Sequence, residues 1–179
     1  MKNKGKIFEE CIKGSIPDYC LLIRLPDPPH SFEKRIDTKF AVKNPCDFLC
    51  YDSIDNRLWC LELKSTSNKY MTFEDIYSDK QENKMIHRHQ TKSLLRFSEY
   101  NGVVAGFIFN FRHFEGEANS IELSYFMEVN KFQKMCDNIG KKSFTEIDIL
   151  NNGAIKIQGT KKRTRYSWDI DSLLKEYKI

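Results

Sequence analysis

Apolar residues recur at two different spacings along the chain, and these spacings predict its first helix and strands. Within Lys4–Lys13 they fall three to four positions apart, which predicts a helix that ends before Gly14. The apolar run Tyr19–Leu25 predicts a short strand. Asp47–Ser53 and Arg57–Thr66 are two further runs separated by a short polar turn, so they predict a β-hairpin.

The second half of the chain predicts helices that alternate with strands. The predicted helices are Met85–Tyr100, Asn130–Ile139 and an amphipathic helix from about Asp169. The predicted strands are Val103–Phe111, Ser120–Val129 and a short one near Ala154–Gln158. Val103–Phe111 is apolar almost throughout, which is typical of a strand in the centre of a sheet. This order of elements predicts an α/β or α+β sandwich with a mixed sheet.

One long segment does not fit this alternation. Pro26–Pro45 contains four of the five prolines of the chain and is rich in basic residues, among them Lys34, Arg35, Lys39 and Lys43. A long segment that cannot bury itself is usually functional, so we expect an insertion or a functional loop here.

The composition is that of a globular protein. The chain has 179 residues, of which 40% are hydrophobic and 30% charged, so disordered and collagen-like classes are excluded and one domain over 1–179 is expected. No segment resembles a signal peptide or is long enough to span a bilayer, so we expect a soluble, cytoplasmic protein without a membrane partner. The six cysteines lack the regular spacing of a disulfide scaffold and are expected to be reduced. A net charge of +4 permits a nucleic-acid partner without requiring one.

The predicted hairpin contains the main candidates for chemistry. Glu62 and Lys64 are two residues apart, so their side chains point to the same face of a strand, and the neighbouring strand can bring Asp47 beside Glu62. Two carboxylates can hold Mg²⁺ while the ion keeps several waters, and a lysine can orient an attacking water or stabilise charge on a phosphate. The pattern therefore predicts metal-assisted hydrolysis of phosphodiesters.

Two other interpretations apply to the same region. A Glu-x-Lys tripeptide on a strand is commonly an exposed ion pair, although the apolar run before Glu62 favours a buried strand, where a carboxylate needs a partner or a metal. Cys46, Cys50 and Cys60 could form a zinc site. On regular strands, however, Cys46 and Cys50 share one face and Cys60 lies on the other, so the thiols are not expected to converge.

Short motifs occur in a fixed order over nearly the whole chain. They are Asn3-Lys4-Gly5, Phe8-Glu9, Cys46-Asp47-Phe48, Leu61-Glu62-Leu63-Lys64, His87-Arg88-His89-Gln90, Gly102–Phe111 and Ile170–Tyr177. The Asp…Glu-x-Lys spacing resembles the PD-(D/E)xK nuclease core. The complete set resembles the RecU-type Holliday junction resolvases of Gram-positive bacteria and their phages.

The resemblance implies a restriction-endonuclease-like fold, in which helices flank a mixed central sheet and residues 26–45 form a short stalk-like insertion. It also implies a metal site for Mg²⁺ or Mn²⁺, formed by Asp47, Glu62 and the backbone carbonyl of Leu63. Helical spacing alone does not choose between Glu9 and Glu10 as a further metal contact, and the resemblance selects Glu9.

The same resemblance implies an endonuclease that acts as a homodimer and resolves four-way DNA junctions by paired nicks. Lys64 would be catalytic together with Asp47 and Glu62, and Gln90 would support them from the following helix. Basic side chains are the candidates for DNA contacts, namely Lys4, Lys34, Arg35, Lys39, Lys43 and Arg88. Two alternatives stay open: another nuclease with the same core, acting on duplex or branched DNA, and a non-catalytic DNA-binding module with this fold.

Overall fold

The computed structural model describes residues 4–26, 44–80, 82–115 and 119–177. The predictions made for Asn3 and for the interior of the stalk-like segment lie outside the described residues. The latter include the predicted DNA contacts Lys34, Arg35, Lys39 and Lys43.

The described residues form five helices and ten strands. The helices are α1 Lys4–Lys13, α2 Arg88–Ser98, α3 Val129–Asn138, α4 Glu146–Asn151 and α5 Ile170–Glu176. The strands are β1 Cys20–Arg24, β2 Phe48–Asp52, β3 Arg57–Thr66, β4 Tyr70–Thr72, β5 Val103–Glu115, β6 Asn119–Glu128, β7 Ser143–Thr145, β8 Ile155–Ile157, β9 Gly159–Lys161 and β10 Tyr166–Trp168. None of these helices is both long enough and apolar enough to cross a membrane.

Six strands form a mixed central sheet in the order β1-β2-β3-β5-β6-β8. β3 and β5 are parallel, and the other neighbours in this sheet are antiparallel. β9 pairs with β10, and β4 pairs with β7, in two small antiparallel sheets. The predicted α/β architecture with a mixed sheet is confirmed, and so are the α1 helix, the β2–β3 hairpin and the central place of β5.

Each face of the central sheet is covered by its own hydrophobic core. On one face α1 and α5 pack against the sheet, and Phe8, Trp59 and Phe126 are buried there. On the other face α2, α3 and α4 surround a core that includes Phe107 and Phe132. Because β3 and β5 bury side chains on both faces, their sequences are apolar over long runs.

The second helix begins later than the sequence predicts. The prediction placed it at Met85–Tyr100, whereas α2 begins at Arg88. Ile86 instead forms a β-bridge with Phe73, so the backbone before the helix is held extended by tertiary contacts. β4, β7, β9, β10 and α4 were not predicted, because each has six residues or fewer and shows too little periodicity.

Gly106 in β5 lies at a close approach to β6. A Cβ atom added there would lie 2.5 Å from the carbonyl oxygen of Met127 and 2.8 Å from a ring carbon of Phe126. Both residues are buried within the sheet, so neither has room to move aside.

We therefore expect Gly106→Ala to lower the free energy of unfolding by roughly 1–3 kcal/mol, the usual cost of overpacking a core. Urea denaturation would measure the change. Gly14→Ala is the matched control, because its added Cβ has its nearest contact at 3.4 Å. An equal effect of the two substitutions would show that the approach of β5 to β6 is not limiting.

Candidate active site

Asp47 is fixed between β1 and β3, immediately before β2 begins. Its N–H donates to the carbonyl of Leu61 at 3.1 Å, and its own carbonyl accepts the N–H of Leu25 at 2.9 Å. The side-chain Oδ2 accepts the N–H of Leu63 at 2.7 Å. The carboxylate of Asp47 is therefore held against the edge of β3.

The backbone of Leu63 faces this carboxylate. In an antiparallel pair, the N–H and C=O groups of one residue point to the same neighbouring strand. Since the Leu63 N–H is bonded to Asp47, the Leu63 carbonyl is directed to the same side of β3. Use of this carbonyl as a metal ligand stays a prediction.

Glu62 is buried in the central strand, with 3% of its surface exposed. Its Oε1 atom lies 2.9 Å from Nζ of Lys64 and also accepts a hydrogen bond from Nε2 of Gln90. The predicted alternation along β3 thus places Glu62 and Lys64 together, and α2 brings Gln90 to the same carboxylate.

Gln90 is held by the start of α2. Its Oε1 atom accepts the N–H of His87 at 3.0 Å, which fixes one end of the amide while the other end donates to Glu62. The imidazole of His87 lies 3.5 Å from the buried carboxylate of Glu74 and stacks on the ring of His89. The amide of Gln90 therefore links the first turn of α2 to β3.

Burial disfavours ionisation of both carboxyl groups. It raises the pKa of Glu62 to about 7, where the ammonium of Lys64 opposes the shift and the charges of Asp47 and Glu9 add to it. Burial also raises the pKa of Asp47, against the opposing effects of the Leu63 N–H and Lys64. The ammonium of Lys64 therefore does not fully offset the burial of the two carboxylates. A bound cation would stabilise their charged forms further.

The negative charge of Glu9 acts on both Asp47 and Glu62. Glu9 is paired with Arg24, a residue that the sequence analysis did not select. Its Oε2 atom accepts hydrogen bonds from Nε and Nη2 of Arg24 at 3.2 and 3.0 Å. The charge of Arg24 also opposes the raised pKa of Asp47. Arg24 lies at the end of β1, and the pairing of β1 with β2 brings it here, which no local pattern reveals.

The oxygen donors at the site suit a hard divalent cation. The carboxylate of Asp47 is bonded to the backbone of Leu63, and its charge acts on the neighbouring Glu62. Among the residues that the structure describes, no three or more His, Cys, Asp or Glu side chains are placed to hold a metal together. Binding of Mg²⁺ by Asp47, Glu62 and the Leu63 carbonyl stays a prediction, in which water would complete the coordination of the ion.

Two of the predicted DNA contacts lie in the described residues. Lys4 is exposed at the start of α1. The guanidinium of Arg88 donates to the carbonyls of Ser78 and Asp79, so in this structure it braces the loop before α2. DNA contact by either residue stays a prediction.

The cysteine geometry differs from the prediction. Cys46 does not share a face with Cys50: its thiol donates to the carbonyl of Phe48 at 3.4 Å, and it is buried with Cys60 in the core beneath α2 and α3. Cys50 is buried in the core on the opposite face. The alternation rule was wrong for Cys46 because this residue precedes β2 and is not part of a regular strand.

The raised pKa of Glu62 predicts how stability depends on pH. The carboxyl group of Glu62 has a higher pKa in the folded chain than in the unfolded chain. The free energy of unfolding therefore falls as the pH rises from about 4.5 through about 7. In a chelating buffer at pH 8, Glu62→Gln should therefore be more stable than the wild type, by up to about 3 kcal/mol. The difference should vanish near pH 4.5.

Urea denaturation at the two pH values would measure this effect. Glu10→Gln removes the same charge from an exposed position of α1 and serves as the control. A Glu62→Gln protein that gains no more than this control at pH 8 would contradict the electrostatic account of the site.

Comparison with known proteins found similarity to an uncharacterized prophage-derived chain. No family model matches this sequence. The chain is similar to the SPbeta prophage-derived uncharacterized protein YotM of Bacillus subtilis (strain 168), with 28% identity over 180 residues. The similarity covers 97% of this chain and 86% of YotM, so the strands and the helix that form the candidate site fall within it.

Proposed function

We propose that this protein is a Mg²⁺- or Mn²⁺-dependent DNA endonuclease that resolves four-way junctions by paired nicks. The observation that carries the proposal is the grouping at β3 of Glu62, which contacts Lys64 and Gln90, with Asp47, whose charge acts on Glu62. Carboxylates suit a hard cation, and a preorganised ammonium suits the negative charge that develops on a phosphate.

The arrangement of elements around these residues supports a restriction-endonuclease-like fold. The acidic residues lie on the antiparallel β2–β3 hairpin, β3 continues into a parallel pair with β5, and helices cover both faces. The resemblance to RecU-type resolvases implies the same order, and its motifs are distributed over these same elements.

Asp47, Glu62 and the carbonyl of Leu63 would hold the metal ion. When bound, Mg²⁺ would supply Lewis acidity and charge neutralisation at the scissile phosphate. Glu9, which is paired with Arg24, would contact the metal ion only if this ion pair opened. Gln90 would keep the carboxylate of Glu62 in one orientation.

Lys64 would act directly on the substrate. Its side chain is 16% exposed, so the ammonium lies between the buried Glu62 and the solvent from which a phosphate would approach. From this position it would orient the attacking water and stabilise the negative charge of the phosphorus centre and the leaving oxygen.

A four-way junction requires two symmetric cuts, so we propose that two copies act as a homodimer, in the cytoplasm, with one site on each of two strands. The basic residues of segment 26–45 would contact the centre of the junction. The similarity to a prophage-derived protein supports a phage setting for this activity.

The first prediction from this proposal concerns the metal ligands. Asp47→Asn should abolish nicking of a four-way junction in Mg²⁺, whereas binding of the junction should persist because it depends mainly on neutralising phosphates. A gel-based nicking assay and a mobility-shift assay without Mg²⁺ would measure the two properties. Asp55→Asn, at the exposed turn of the β2–β3 hairpin, is the control. Full nicking by Asp47→Asn would refute the site assignment.

The same assay separates the possible activities of the wild type. Preferential nicking of the junction over linear duplex supports a resolvase. Equal nicking of both supports a broader nuclease with this core. Binding without metal-dependent nicking of any DNA supports a non-catalytic DNA-binding module.

The second prediction concerns Lys64. Lys64→Ala should lower the nicking rate by roughly 10²-fold or more, the scale for losing one preorganised electrostatic group, while Mn²⁺ affinity changes little. Lys69→Ala removes an exposed lysine just after β3 and should be nearly silent. Lost Mn²⁺ binding by Lys64→Ala, with unchanged turnover of the metal-loaded fraction, would show that the lysine serves only to hold the carboxylates.

A further inference from the structure

A second concave site lies on the face of the sheet that is covered by α1. It is a cavity of about 160 Å³ between the start of α1, the neighbouring strands β5 and β6, and the β9–β10 hairpin. Phe8, Ile7 and Tyr166 form part of its wall. The mechanism proposed above does not use this cavity.

Positive charge dominates the cavity. We define the basic pocket by the five cationic side chains that line it: Lys4, Arg112, Lys161, Arg163 and Arg165. Glu122 is the one acidic residue in its lining. Within the described part of the chain, none of the five cations forms an ion pair with a carboxylate. The basic pocket therefore has an uncompensated positive charge and suits an anion.

Arg112 is the residue that distinguishes this pocket from an ordinary charged surface. Its Nε atom is buried, and no hydrogen-bond partner for it occurs among the described residues. Arg112 stands opposite Glu122 in the β5–β6 ladder, but the carboxylate of Glu122 accepts from Nδ2 of Asn110 at 3.3 Å. A buried guanidinium donor without an acceptor is costly, and the planar fork of arginine matches the oxygens of a phosphate.

The basic pocket and the candidate active site lie close together along two elements. In the β3–β5 pair Lys64 stands opposite Phe109, and Arg112 follows three residues later, about 10 Å along the strand and on the opposite face of the sheet, which α1 covers. In α1, Lys4 lines the pocket, and Glu9, which acts on Asp47, is five residues further on, or about 7.5 Å. The two sites thus lie on opposite faces of the sheet, and a nucleic-acid strand would contact both by passing around the end of the sheet.

We propose that the basic pocket binds a backbone phosphate of the DNA substrate, away from the phosphate that is cleaved, with Arg112 as the central ligand. This inference rests on the proposed function, because DNA is taken as the source of the phosphate. The pocket would position the strand relative to Asp47, Glu62 and Lys64 and would take no part in the chemistry.

The test is DNA binding in a chelating buffer, where no cleavage can occur. Fluorescence anisotropy would compare the wild type with Arg112→Gln and with a double variant, Arg163→Gln/Arg165→Gln, whose substitutions lie on the exposed hairpin. Lys134→Gln/Lys156→Gln removes two exposed charges elsewhere and is the control. Each pocket variant should weaken binding of a four-way junction by about tenfold or more, the scale for a charged hydrogen bond. The log–log salt dependence should flatten by about 0.9 per lost phosphate contact.

A second measurement identifies the source of the phosphate. Thermal unfolding at constant ionic strength should show that inorganic phosphate stabilises the wild type more than Arg112→Gln. In chloride alone, Arg112→Gln should melt no lower than the wild type, because it removes an unsatisfied buried donor. If that variant does not fold, the hairpin double variant is tested in both measurements.

The outcomes separate this inference from the proposed function. If the pocket variants bind DNA as tightly as the control variant, the basic pocket does not bind a DNA phosphate. The nuclease proposal is then unaffected. Inorganic phosphate could also stabilise only the wild type while the pocket variants keep their full DNA affinity. This result overturns the inference as well, because the pocket would then bind free phosphate and not DNA. A wild type that binds no DNA overturns both proposals.

Discussion

The buried carboxylate of Glu62 is the constraint on which the candidate site depends. A carboxylate that is 3% exposed in a central strand needs compensating partners, and Lys64 and Gln90 provide them from β3 and α2. These partners are not sufficient, since burial and the charge of Asp47 still raise the pKa of Glu62 to about 7. The fold thus places a carboxylate where its charged form is unfavourable, and in the proposed function a bound cation would stabilise that charge.

The central sheet and the two helices around it make this arrangement possible. β1 and β3 clamp the backbone of Asp47, and the Leu63 N–H fixes its carboxylate. α1 brings Glu9 to one side of the sheet end, while α2 brings Gln90 from the other. The same α1 helix contributes Lys4 to the basic pocket, so one element spans the region between the two sites.

The sequence predicts the parts of this architecture that local periodicity controls. Alternation along β3 predicts that Glu62 and Lys64 share a face, and the helical stripe predicts α1. Contacts between distant segments are not predicted by local periodicity. The bridge of Ile86 to Phe73 shortens α2, and the irregular backbone before β2 turns Cys46 to the opposite core. Arg112 lies one residue beyond the predicted end of its strand, and its pocket joins three separated segments of the chain, so no spacing rule could find it.

Direct measurement of metal binding tests the central claim, that the carboxylates at the end of β3 form a cation site. Electron paramagnetic resonance of free Mn²⁺ would follow its titration with the wild type and with Asp47→Asn at pH 8. The account predicts that the wild type removes Mn²⁺ from solution and that Asp47→Asn binds it far more weakly. Equal Mn²⁺ binding by the two proteins, or no binding by the wild type at millimolar Mn²⁺, would contradict it.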